Sequence, residues 1–379
     1  MILKLLYLTP GCFDKGGISR YSRCQIEAWR DILGNENVIV YSMLGPDENS
    51  FEIPFAVDWY AGGRETFHKI NFVAHLTRAI ISYRPRIIHS AHVNLSGIAK
   101  ALTTITRAKT ILNTYGLEVW SGFRRDTAWG LKSSDFVISD CRFTADYLEN
   151  EGLRPKGTVQ VVWDSVDLTR FYPGPPKREV LDKYSIPNHS TGVNLLTLGR
   201  ISFDSGHKGY ERLLEVFISI ANQVPELRLI YAGRGDMIKY LQEKTETFQL
   251  QNRVFFTGMI HEGDLPDVYR AAHIFSLVSD IGIGRGEGIP LTPLEAAACG
   301  VPILVGNQDG SREAVIEGIN GHILDPFDLT SHGNKIVALT RNRTLRTQMG
   351  EAARERIEKE FAYPIFREKH HKLLEKWFS

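Results

Sequence analysis

No stretch of the chain holds 18 consecutive apolar residues, which excludes a helix crossing a bilayer. Cysteine is scarce: Cys12, Cys24, Cys141 and Cys299 lie far apart, with no C-x-x-C pair. That spacing argues against both a disulfide framework and a zinc site, and fits a reducing cytoplasm. Charge of one sign is also missing. The net charge is +1 across 379 residues, so the whole-chain balance points to no polyanionic partner. No G-x-G-x-x-G follows a strand-like run, and "GRGDM" at Gly233 has the wrong spacing, which removes the dinucleotide fingerprint. The opening "MILKLLYLTPG" is too short and too broken by Lys4 for a signal segment, and reads as a first buried strand.

What is present is a rhythm. Short apolar runs ("ILKLLYLT", "NVIVYSM", "RIIHSA", "KTILNTY", "DFVIS", "VQVVW") alternate with amphipathic stretches in the first half. The second half repeats this with "VNLLTLG", "LRLIYAG", "RVFFTG", "HIFSLV" and "PILVG". Such alternation predicts α/β architecture with parallel, doubly wound sheets. The length suits two domains, and "FYPGPPKRE" (171–179) is the densest Pro/Gly stretch. The expected division is 1–173 and 174–363, with a closing helix over 364–379 packing back on the first domain. The expected architecture is two Rossmann-like domains facing an interdomain cleft, with ligands outside the carboxyl ends of the strands. Between Thr66 and Leu117 seven basic residues occur without a single Asp or Glu. That bias suits either a solvated helix face or contact with anionic head groups or a phosphorylated acceptor.

Three stretches carry candidate chemistry. Gly16-Gly17 follow the first strand and precede a helix, where backbone can approach a phosphate closely. Gly199-Arg200 end a strand, and Lys208-Gly209 follow one loop later. Two such cations can reach one diphosphate, each charge-assisted bond contributing about 1.5–3 kcal/mol. "GEGIPLTPLE" places Glu287 in a loop and Glu295 near a helix start. Its letters also spell a capping box, with Thr292 at the N-cap, Pro293 at the first helical position and Glu295 at N3.

Together these motifs resemble glycosyltransferase family 4, the retaining GT-B enzymes. The matching residues are Gly16-Gly17, Gly199-Arg200, Lys208-Gly209 and the E-x7-E pair Glu287 and Glu295 followed by "ACGVPIL". The similarity runs over nearly the whole chain and is strongest from Gly199 to Val315. The resemblance implies a sugar moved from a nucleotide-diphosphate sugar to an acceptor hydroxyl with retained configuration and no divalent metal. It implies that Arg200 and Lys208 hold the pyrophosphate with Gly16 and Gly17, that Glu295 holds the ribose, and that Glu287 faces the transferred sugar. Backbone of Gly288, Ile289, Pro290, Leu291 and Thr292 lines the donor. A histidine after a first-domain strand faces the sugar. His92 is favoured over His89 because it lies further past the strand. Tyr115 and Glu118 in "YGLEVW" resemble acceptor-side residues, although Glu118 equally suits a structural helix start.

Two positions depart from the family pattern. Glu287-Gly288-Ile289-Pro290 stands where E-G-F-G is usual, and Pro290 lacks an N–H. "WDSVD" stands where "PNGVD" is common. The resulting expectation is a hexosyltransferase of polysaccharide or glycolipid assembly that needs no cofactor, with UDP-sugar preferred to GDP-sugar as co-substrate. Its acceptor is a glycan or lipid-linked molecule. The expected location is cytoplasmic, at the inner membrane face through the basic first domain, with no nucleic-acid partner. The rival readings are a nucleotide-sugar epimerase or hydrolase on the same fold, and a catalytically silent nucleotide-sugar binder.

Overall fold

β-Branched and leucine-rich runs of four to six residues have the length of a strand and too little polar surface to lie anywhere but inside a sheet. A computed structural model, describing residues 3–48, 50–51, 55–120, 122–282 and 286–378, shows where each run goes. The chain falls into two units, 1–165 with 363–379, and 166–362. The Pro-rich stretch 171–179 lies inside the second.

The first unit holds a seven-stranded parallel sheet. Its strands are β1 (Leu5–Thr9), β2 (Val38–Ser42), β3 (Trp59–Tyr60), β4 (Ile87–Ser90), β5 (Lys109–Thr114), β6 (Phe136–Ser139) and β7 (Val159–Val161). Their spatial order is β3-β2-β1-β4-β5-β6-β7. β1 is buried at every position, because it pairs with β2 on one side and β4 on the other. Helices α1 (Gly17–Leu33), α2 (Thr66–Tyr83) and α3 (Ser96–Thr106) make the crossovers that parallel pairing requires.

The C-terminal helix, Tyr363–Phe378, packs along α1 in this same unit. A buried polar network ties it there. Tyr7 donates its hydroxyl to Gln25 Oε1 at 2.8 Å, and Gln25 Nε2 lies 2.8 Å from His370 Nε2. The His370 Nδ1 meets the Phe366 carbonyl at 2.9 Å. Burial holds the His370 pKa down, to about 4, so the ring stays neutral and each of its nitrogens has a partner. Phe366, Leu373 and Leu374 of the helix join Trp29 and Tyr21 of α1 in one apolar cluster.

The second unit holds a six-stranded parallel sheet in the order β10-β9-β8-β11-β12-β13. Its strands are β8 (Val193–Leu198), β9 (Leu227–Ala232), β10 (Val254–Gly258), β11 (Ile274–Leu277), β12 (Ile303–Gly306) and β13 (Gly321–Leu324). Helix α4 (Tyr210–Ile220) follows β8, and α5 (Leu291–Ala298) follows β11.

Each sheet has one point where the strand order reverses. In the first unit the chain leaves β1 in one direction and β4 in the other. In the second it does so at β8 and β11. Loops diverging from such neighbours leave an open crevice at the carboxyl ends of the strands, where open α/β sheets bind ligands. None of the described helices is long and apolar enough to cross a membrane.

Candidate functional site

In the second unit, both loops of the reversal point carry expected site residues. β8 ends at Leu198, and Gly199 continues with φ +157°, where a Cβ would stand 2.4 Å from the Tyr210 hydroxyl. Arg200 follows, exposed. A 3-10 turn over Phe203–Lys208 then closes on Gly209 at φ +78°. A Cβ there would lie 2.5 Å from the Val278 carbonyl at the end of β11. The two glycines let the β8 loop fold over the neighbouring strand, and that brings Lys208 to Glu287.

Lys208 Nζ and His207 Nε2 each lie 3.0 Å from the same oxygen, Glu287 Oε1. Burial pushes the Glu287 carboxyl up, but Lys208 first and His207 second outweigh it and bring it down to about 2. Conversely, burial pushes Lys208 down and the Glu287 charge more than restores it. The result is an ionised carboxylate, 20% exposed, held by two partners. The His207 backbone is fixed as well, since Arg212 donates to its carbonyl at 3.2 Å and pairs with Asp280 at 2.7 Å.

Asp309, fully buried, clamps the Glu287 loop from behind. Its Oδ2 accepts from the Glu287 N–H at 3.0 Å and from the Ser279 hydroxyl at 2.8 Å. Its Oδ1 accepts from the Ser311 N–H at 3.0 Å, and the Gly310 N–H donates to the Glu287 carbonyl at 3.1 Å. Burial raises this carboxyl to about 6 against its hydrogen bonds. Neither His207 nor Asp309 was among the expected site residues. His207 immediately precedes the expected Lys208 and Asp309 follows shortly after "ACGVPIL", but their role depends on contacts 80 and 22 residues away.

The capping box does not form. Helix α5 begins at Leu291 with Pro290 as N-cap and no side-chain cap bond. Thr292 is then the second helical residue and Glu295 the fifth, out of register for a box that needs N-cap and N3. Glu295 is instead buried, its Oε2 accepting from the Tyr269 hydroxyl at 2.7 Å. The first turn of α5, at Leu291 and Thr292, offers backbone N–H groups that the helix does not use.

In the first unit, Gly16 and Gly17 follow β1, and His92 follows β4, again the two strands of the reversal point. Gly16 is the N-cap of α1 and donates its N–H to Asp14 Oδ1 at 2.7 Å. A Cβ on Gly17 would meet nothing within 4 Å, so that backbone is open. His89 and His92 differ sharply. His89 lies in β4, fully buried, with Nδ1 accepting from Trp29 Nε1–H at 3.0 Å and Nε2 3.1 Å from Asn113 Oδ1. Burial drives its pKa down to about 3, so its ring is committed to the core. His92 lies in the loop. Its Nδ1 accepts from the Asn94 N–H at 3.1 Å, which leaves the proton on Nε2. Burial lowers its pKa, and Glu118 opposes that. Tyr115 lies beside it, ring centroids 6.5 Å apart. Glu118 accepts from the Tyr115 N–H at 2.6 Å and thereby caps the short helix Leu117–Trp120. His92, Tyr115 and Glu118 are thus brought together by β4 and β5. Among the described residues no group of three or more His, Cys, Asp or Glu is placed to hold a metal ion.

The Asp309 geometry carries a pH prediction. A carboxyl raised from 3.8 to about 6 on folding contributes stability below pH 4 that is lost as pH rises through 6. Asp309→Asn removes this titration. The stability advantage of the wild type over the variant, read from urea midpoints, is expected to be about 1 kcal/mol larger at pH 5 than at pH 7.5. An equal difference at both pH values refutes the assignment.

Residues 188–356 match the family model for glycosyl transferases group 1. The chain is 31% identical over 208 residues to mannosylfructose-phosphate synthase of Agrobacterium fabrum, covering 52% of this chain and 43% of that one. It is 27% identical over 224 residues to the GDP-mannose-dependent alpha-(1-6)-phosphatidylinositol monomannoside mannosyltransferase of Mycolicibacterium smegmatis, covering 58% and 57%. The chain therefore spans about half the length of these curated relatives. Among solved structures it resembles HepE of Anabaena in complex with UDP, with TM-score 0.80, 16% identity and coverage of 99% and 100%. Sucrose-phosphate synthase of Thermosynechococcus elongatus gives TM-score 0.76 at 18% identity, covering 99% of each chain. Residues 188–356 thus carry the pattern of the glycosyl transferases group 1, and the chain has the GT-B fold of its structural neighbours.

Proposed function

We propose that the protein is a retaining glycosyltransferase that moves a hexose from a nucleotide-diphosphate sugar to an acceptor hydroxyl, without a divalent metal. The observation that carries this reading is the Glu287 carboxylate held by Lys208 and His207 at the reversal point of the second sheet. A carboxyl at about pKa 2 cannot serve as a general acid near neutrality. It serves as an acceptor for sugar hydroxyls and as a charge that favours an oxocarbenium-like state. In the step itself, the bond from the anomeric carbon to the diphosphate oxygen breaks, and the electron pair leaves with the diphosphate. Arg200, Lys208 and the first turn of α5 stabilise that departing charge. The acceptor oxygen bonds the same face of the anomeric carbon, and its proton passes to the leaving oxygen.

Glu295 takes the ribose, the backbone from Gly288 to Thr292 lines the donor, and Gly16 and Gly17 take the phosphates. His92 is assigned to the sugar by the family resemblance. Its own geometry supports that role with a neutral ring whose Nε2–H is the donor. Tyr115 and Glu118 stay on the acceptor side, Glu118 with the added task of ordering the Tyr115 backbone. UDP-sugar is the preferred donor. A mannosyltransferase among the relatives is named for GDP-mannose, and a structural neighbour is described with UDP-glucose, so the base is decided by experiment. A thermal-shift panel of UDP, GDP, ADP and their sugars is expected to show selective stabilisation by uridine nucleotides. Stabilisation by none of them overturns the reading. Donor consumption without any acceptor at an undiminished rate identifies an epimerase or hydrolase instead. On this reading the enzyme works in the cytoplasm at the inner membrane face, on a glycan or lipid-linked acceptor.

A further inference from the structure

Helix α2 is apolar on two faces. One face, Phe72, Leu76, Ala79 and Ile80, is buried against the first sheet. The opposite face carries Phe67, Ile70, Ala74, Thr77 and Ile81, spaced three, four, three and four residues apart, so they align along one side of the helix. Phe67 is 73% exposed, Ile70 65% and Ile81 62%, with Val73 beside them also exposed. Single surface apolar residues are ordinary, but a continuous row about 20 Å long on a helix is not.

The charges on the exposed side of α2 are mostly basic. Arg64, Lys69, Arg78 and Arg84 are exposed on α2 and at its ends. On α2's winding Arg78 lies about 60° to one side of the row, whereas Lys69, exposed in the first turn, lies about 120° to the other, nearer the side of Phe72 and Leu76. The nearby acids are Glu65, which contacts His68 at 2.6 Å, and Glu36 and Asp58, whose charges act on Tyr83 at the C-terminal end of α2. Helix α3 packs beside α2 and adds exposed Ile105, followed by exposed Arg107.

We propose that the outward row of α2 is a docking face for an anionic lipid surface. Ile70, Phe67 and Ile81 enter the head-group boundary, and the flanking arginines and lysine meet the lipid phosphates. The charge pattern selects this occupant over a second copy of the chain. A two-fold contact through this face would set Arg64, Lys69, Arg78 and Arg84 against the same four residues of the copy, whereas an anionic bilayer complements them. The inference deepens the membrane-face reading above, and its test needs neither donor nor acceptor, so its failure leaves the nucleotide test standing.

The experiment is co-sedimentation of the full chain with vesicles of phosphatidylcholine alone and with vesicles about a third phosphatidylglycerol. The wild type is expected to bind the anionic vesicles at least about tenfold more strongly than the neutral ones, and to release them at high salt. Ile70→Ser with Ile81→Ser is expected to weaken anionic binding by about tenfold or more. Lys69→Glu with Arg78→Glu is expected to remove the preference for anionic lipid. Because all four side chains are exposed, melting temperatures and nucleotide shifts of both variants are expected to match the wild type. Three results overturn the proposal: no vesicle binding, binding that the variants leave unchanged, or a dimer in solution that Ile70→Ser with Ile81→Ser dissociates.

Discussion

Glu287→Ala is expected to lower kcat/KM for sugar transfer by roughly 10²–10³, the scale of one preorganised electrostatic contact in a dry site. The carboxylate is ionised because Lys208 and His207 outweigh its burial, so its removal takes away a charge that the transition state would use. It also leaves both partners without their shared acceptor. Without the Glu287 charge, burial and Arg200 pull the Lys208 pKa down from its present raised position, opposed by Tyr210. Glu287→Gln separates the two effects, because the amide keeps the shape and one acceptor while losing the charge. We expect the Gln variant to bind UDP nearly as the wild type does and still to transfer slowly. Transfer by Glu287→Ala within a few-fold of wild type would sink the assignment.

The same residue carries a stability signature. Its folded pKa of about 2 lies below its ordinary value of 4.5. The pair therefore contributes stability above about pH 4.5 that is lost as pH falls through 2. The contribution is on the order of 3 kcal/mol before losses to partial exposure. In acid unfolding, the wild-type advantage over Glu287→Ala is expected to shrink between pH 5 and pH 2.

Lys208→Met is the second large effect. The variant keeps most of the aliphatic length and loses the charge that the leaving diphosphate would meet. Loss of one charge-assisted contact of about 1.5–3 kcal/mol corresponds to roughly a ten- to hundredfold fall in nucleotide affinity. The thermal shift with UDP is expected to drop accordingly, and kcat/KM to fall further because charge grows on the diphosphate in the transition state. Glu287 supplies an independent readout. Lys208 is the main influence pulling its carboxyl down, so in the variant burial gains weight and the carboxyl titrates higher. The acid limb of the rate profile then moves toward neutral pH. An unchanged UDP shift together with an unchanged acid limb would remove Lys208 from the donor site.

Particular residues show how far the letters reach. Eleven of the described strands coincide with the apolar runs, because a four- to six-residue apolar run bounded by polar or turn residues has few other fates. The two that escaped, Trp59–Tyr60 and Gly321–Leu324, are edge strands of their sheets. An edge strand pairs on one side only, so a short or glycine-started segment suffices and leaves little pattern. The capping box in "LTPLE" failed for a different reason. Local letters put the first helical residue at Pro293, the helix in fact begins at Leu291, and that shift of two residues turns a cap partner into a buried acid on Tyr269. His207 and Asp309 were invisible because nothing local distinguishes them from a surface histidine and a turn aspartate.

The amino-acid sequence is sufficient for the strand–helix alternation, the two-sheet class and the chemical types after each strand. All of these follow from local periodicity and from the chemistry of glycine, cations and carboxylates. Tertiary structure was needed to set β8 beside β11 and β1 beside β4. Only that pairing brings Lys208 and His207 onto Glu287, and only the core around Trp29 and Asn113 commits His89 while leaving His92 in the loop. Contacts between residues tens of positions apart depend on which strands are neighbours, and strand order leaves no mark on the short-range pattern of any one segment.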